Sequence, residues 1–142
     1  MANKFADLTE FIPRIKDDTF GEWIIDRVND GTLEHPKQFP FINYTDAVTD
    51  FIQTLYAFCQ EHPEFEHTRY TDTLNSFGLE WSSSSMEQAD VSSMDAKGVI
   101  ALLIGAVRAD RFCDGALLAF FQNGCILRWL ERLAEIDKQT EE

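Results

Sequence analysis

The chain has 142 residues and carries 25 Asp and Glu against 12 Lys and Arg, a formal net charge of −13. Such a charge repels nucleic-acid phosphates and anionic lipid, so neither direct nucleic-acid binding nor a membrane partner is expected. An apolar share of 44%, with 12 Phe, excludes a disordered chain and supplies one core, which predicts a single domain over residues 1–142.

Phe5, Leu8, Phe11, Ile12 and Ile15 recur at helical spacing, so the chain opens on a helix that ends or kinks at Pro13. Gly21 to Val28 fits a short helix or a strand, and residues 30–40, with one Gly and two Pro, read as loop. Val48, Phe51, Ile52, Leu55, Tyr56 and Cys59 then form the stripe of an amphipathic helix, with Thr45 at its N-cap. Pro63 stops that helix. Tyr70 to Phe77 make a shorter one, closed by Gly78. The serine-rich passage from Ser82 to Ser93 reads as an exposed connection.

Ser92 to Asp95 resembles a capping box that starts a helix from about Met94 to Ala109. Val99, Ile100, Leu102, Leu103, Ile104 and Val107 leave that helix no polar face, so it must be the buried centre. Asp114 is placed to cap the next helix, and Asn123-Gly124 to turn the chain into a last one striped by Ile126, Trp129, Leu130, Leu133 and Ile136. The expected fold class is all-α, a compact bundle of about five to seven helices around this central apolar helix. Trp81, Trp129 and the phenylalanines are assigned to its core.

No residue run resembles a signal peptide or spans a bilayer of about 30 Å. Three unpaired cysteines (Cys59, Cys113, Cys125), each in an apolar helical stretch, favour a reducing compartment, so a cytoplasmic location is expected. The charge is unevenly placed. Between Tyr44 and Val91, Arg69 is the one basic residue beside nine acids, a field that attracts a basic protein partner.

The run Arg108-Ala109-Asp110-Arg111-Phe112-Cys113-Asp114-Gly115 resembles the R-x-x-R-F-C-[ED]-G pattern of a bacterial family of unknown function, DUF6508. Gly124, Leu130, Arg132 and Leu133 continue the likeness, which is specific over residues 95–137. The chain departs from the pattern at Ile104, Gly105 and Ala106, where the family often carries Thr and His. The resemblance implies a domain and a compartment, and no activity.

Within this run, Arg108, Asp110, Arg111 and Asp114 are the candidate ligand- or partner-binding residues. Two arginines three apart at a helix end suit a carboxylate or phosphate, and equally suit internal ion pairs or the helix dipole. His62 and His67 lie among acids, but Pro63 separates them from one helix face, so no metal site is expected; no cofactor or catalytic group is expected either. Ser82 to Ser85 lack a strained, glycine-flanked turn for a nucleophile. The leading expectation is a non-catalytic interaction or regulatory module, an inhibitor or accessory factor, acting through the acidic face or the surface around Arg108 and Arg111. The alternative is an anionic-ligand or nucleotide-binding protein, with or without enzymatic activity, that uses the R-A-D-R-F segment. An apolar helix in so short a chain leaves a homodimer open.

Overall fold

A computed structural model of the chain describes residues 4–25, 31–34, 36, 41–113 and 115–141. His35, Asp114 and most of the loop expected over residues 30–40 lie outside the described residues.

The first apolar stripe is two short helices, α1 (Ala6–Thr9) and α2 (Ile12–Lys16), in place of one. Pro13 does not end a helix; it occupies the first turn of α2, where its missing N–H has no intrahelical acceptor to lose. The stripe still buries Phe5, Leu8, Phe11 and Ile15 on one side. The ambiguous segment that follows resolves as strand β1 (Gly21–Ile24), antiparallel to β2 (Phe41–Tyr44), with Trp23 opposite Ile42 and Gly21 opposite Tyr44. This two-stranded ladder is an addition to an otherwise helical fold. At its root Phe20 adopts φ 74°, a strained backbone for a bulky side chain. Its N–H donates to Asp18, its carbonyl accepts from the Thr45 N–H, and its ring packs 5.2 Å from Phe121.

Helix α3 (Asp46–Glu61) buries the expected stripe. Thr45 sits at its N-cap but makes no cap bond; its hydroxyl donates to Asp18 and ties the hairpin root to the helix. After two 3₁₀ turns, α4 (Tyr70–Ser76) closes with the Gly78 N–H on the Asn75 carbonyl and the Leu79 N–H on the Leu74 carbonyl, the Schellman pair that φ 78° at Gly78 permits. The serine-rich passage is not an exposed loop. It forms α5 (Ser83–Glu87) and a 3₁₀ turn, and buries Met86, Ala89 and Val91.

The apolar helix is α6 (Ala96–Ala109), capped by Asp95, whose carboxylate accepts from the Gly98 N–H. Ser92 bonds to Asp90 instead and takes no part in that cap. Every residue from Gly98 to Val107 is buried. Two glycines seven apart let neighbours approach one side of α6 closely: Phe77 and Met94 at Gly98, Met86 and Trp81 at Gly105. Helix α7 (Ala116–Gln122) and helix α8 (Cys125–Glu141) follow, α8 running helical through the polar tail that had the composition of a frayed end. Asp137 of α8, 7% exposed, accepts the Phe5 N–H and so joins the two ends of the chain.

Candidate functional site

Helix α6 ends at Ala109, and residues 110–113 leave it as a turn. Arg108 thus lies in the last turn of α6, and Arg111 lies just beyond the helix. Asp110 is tied into the fold. Its Oδ1 accepts from the Tyr44 hydroxyl at 3.0 Å, the Gly115 N–H at 3.0 Å and the Leu117 N–H at 3.3 Å. One carboxylate oxygen thus caps α7 and fastens β2 to the end of α6, the role assigned in sequence to Asp114. Gly115 completes the clamp. Its φ of 94° needs glycine, and a Cβ there would meet the Trp23 ring at 2.6 Å.

Arg108 is partly buried, with its guanidinium 5.9 Å from the Tyr70 ring centroid. Its Nε–H is buried and has no hydrogen-bond acceptor. Asp110 does not pair with it; its Oδ1 takes the three donors above, and Asp114 lies outside the described residues. Arg111 is exposed and forms no ion pair among the described residues. Trp81 stands edge-on to Tyr70 at 5.3 Å and donates from Nε1 to the Gly105 carbonyl. Burial raises the Tyr70 phenol above its ordinary range; the Arg108 charge opposes that and the nearby Tyr56 adds to it.

Phe112 is not core. It is 78% exposed, with its ring edge-on to Trp81 at 5.6 Å. Cys113 is exposed beside it, whereas Cys59 and Cys125 are buried as small hydrophobes. Trp23 remains 44% exposed over Gly115. No pattern in the sequence marks Phe112 or Trp23 as surface, because both have the composition of core; exposure at a turn end is set by the elements around it.

The acid-rich span is less one-sided than its sequence. Asp50 pairs with Arg14, Glu64 with Lys4, and Glu66 with both Lys97 and Arg69. Three of those cations come from other parts of the chain. His62 lies 3.5 Å from Glu64 and against the Phe58 ring.

The model of a family of unknown function, DUF6508, matches residues 1–139. The chain belongs to that family. Membership covers the N-terminal half as well as the C-terminal stretch in which the likeness is specific. No curated protein and no solved structure matches the chain. The residues singled out in the sequence from Arg108 to Leu133 divide in two. Gly115 seats Trp23, Gly124 turns the chain at φ 85°, Leu130 and Leu133 are fully buried, and Arg132 donates from Nε and Nη2 to the Met94 carbonyl. These hold the fold. Arg111, Phe112 and Cys113 are exposed, and Arg108 is partly buried beside Tyr70. No helix among the described residues is long and apolar enough to cross a membrane.

Proposed function

We propose that this DUF6508 protein is a non-catalytic interaction module that docks a protein partner on the surface formed by Arg111, Phe112 and Trp23. The observation that carries this reading is Phe112. A large aromatic side chain stands 78% exposed on a turn that Asp110 pins from three sides. Exposing it forgoes a burial worth about 1.5–3 kcal/mol, and a rigid mount spares the entropy of ordering it on binding. Aromatic residues and arginine are the side chains most enriched where interfaces concentrate their energy.

The overall charge of −13 supports a partner that is basic as a whole. Beyond a Debye length of about 8 Å that field steers the approach; at contact, the arginine and the aromatic rings decide the fit. Asp110 and Asp114 are not part of the docking surface in this reading.

A photo-reactive benzoyl-phenylalanine replacing Phe112 tests it, with the same residue replacing exposed Glu131 as control. The expected result is a discrete light-dependent adduct with another protein from position 112, absent from position 131 and lost in Arg111→Glu. An adduct of twice the chain mass assigns the surface to a second copy. No adduct at 112, or equal adducts at both positions, overturns the reading.

A further inference from the structure

Arg108 is a partly buried cation left without an acceptor in a chain where acids outnumber bases by 25 to 12. Arg132, the other partly buried arginine among the described residues, is served by the Met94 carbonyl; Arg14, Arg69 and Arg128 are exposed and pair at the surface, with Asp50, with Glu66 and Asp72, and with the Glu87 carbonyl. At Arg108 the buried Nε–H meets no acceptor, and the acid two residues away is committed elsewhere. A buried donor left unmade is unfavourable, so an acceptor arriving from outside regains what the fold forgoes.

The surroundings define what that acceptor is attached to. Tyr70, Trp81 and Phe112 form a strip of successive edge-to-face contacts at 5.3 and 5.6 Å beside the guanidinium. Tyr70 is a partly exposed phenol whose ring lies 5.9 Å from the Arg108 guanidinium. Charge, a hydroxyl donor and apolar rings therefore adjoin at the end of α6.

We infer that Arg108, set against Tyr70, binds the carboxylate of an amphipathic organic acid whose apolar body lies along Tyr70, Trp81 and Phe112. One guanidinium balances one negative charge, and its planar fork matches a planar carboxylate. A phosphate dianion would bring a second charge into a molecule already at −13, with one cation to meet it. The two readings share Phe112 but are separable: the carboxylate needs Arg108 and Tyr70, whereas docking needs Arg111. The same carboxylate chemistry is offered by a free small acid and by an acidic side chain of a polypeptide.

Titration of the full chain with 3-phenylpropionate, followed through the Arg108 Nε–H and Tyr70 ring signals by NMR, tests it. The expected result is a saturable shift at both groups. 3-Phenylpropanamide, which keeps the body and lacks the charge, binds at least about tenfold more weakly. Arg108→Lys, which keeps the charge and loses the fork, binds as weakly as the amide. Should that variant unfold, Tyr70→Phe keeps the ring and removes one donor, and weakens binding several-fold. N-acetyl-glutamate amide binding more tightly than phenylpropionate assigns the site to a polypeptide acid, and binding more weakly assigns it to a small one. Equal binding of the amide, tighter binding of inorganic phosphate, or shifts that bypass Arg108 and Tyr70 overturn the inference. A failed crosslink at position 112 leaves this titration unaffected.

Discussion

Asp110 joins three separate pieces of chain through a single oxygen atom, and removing it leaves the Gly115 and Leu117 amides without an acceptor. Asp110→Ala is expected to lower unfolding free energy by about 1–3 kcal/mol in urea denaturation. Tyr44→Phe is expected to cost less, and nothing further once Asp110 is already alanine, because the two changes delete one interaction. Phe112 behaves in the opposite way. Phe112→Ser is expected to change stability by no more than about 0.5 kcal/mol, against about 2–5 kcal/mol for Leu103→Ala in the core. A large loss from Phe112→Ser would show that its ring supports Trp81 and does not wait for a partner. The thiols separate in the same manner. Cys113 is expected to react with Ellman's reagent in the native protein, while Cys59 and Cys125 react only on unfolding. Burial pushes the Cys59 thiol up to about 11, so stability it contributes is intact below its ordinary pKa of 9.0 and declines as pH climbs toward 11.

At the level of elements, α6 is held by features that differ from one end to the other. Asp95 begins it, and Asp95→Ala is expected to cost about 0.5–2 kcal/mol by freeing the Gly98 N–H. Midway, Gly105 leaves space that Met86 and Trp81 enter, and the Trp81 indole bonds to the Gly105 carbonyl itself. Gly105→Val adds a branched side chain at that contact and is expected to destabilise by about 1–3 kcal/mol despite removing a helix glycine, with the Trp81 fluorescence shifting toward the red as the ring is displaced. The hairpin is fastened in two places, through Tyr44 to Asp110 and through Thr45 and Phe20 to Asp18. These bonds hold the hairpin against the end of α6, where Trp23 lies over Gly115 and stays 44% exposed.

Across the whole molecule, charge and chain ends are arranged by long-range contacts. Lys4, Arg14 and Lys97 reach acids of the central span, which softens an asymmetry that looks severe along the chain. Each of these pairs is exposed and worth at most about 1 kcal/mol, so their loss in high salt is expected to lower the melting temperature only slightly. Asp137 matters more. Its bond to the Phe5 N–H is buried and closes the chain from end to end. Asp137→Ala is expected to lower stability by about 1–3 kcal/mol and to speed hydrogen exchange in α1 before α6.

Periodicity alone determined the apolar helix, the stripes of α3 and α8, and the turns at Gly78 and Gly124, because each depends on side chains a few residues apart along one element. The family model, by contrast, extends over residues 1–139, far beyond the R-A-D-R-F run that the sequence singled out. What each residue of that run does was decided by tertiary structure. Asp110 became a clamp because Tyr44, 66 residues away, brings its hydroxyl to the carboxylate. The Arg108 Nε–H was left without an acceptor while Asp110, two residues away, turns to Tyr44 and the start of α7, and Phe112 was left in water because the helix stops three residues before it. Burial and pairing are sums over every neighbour in space, and a linear pattern reports only the neighbours along the chain.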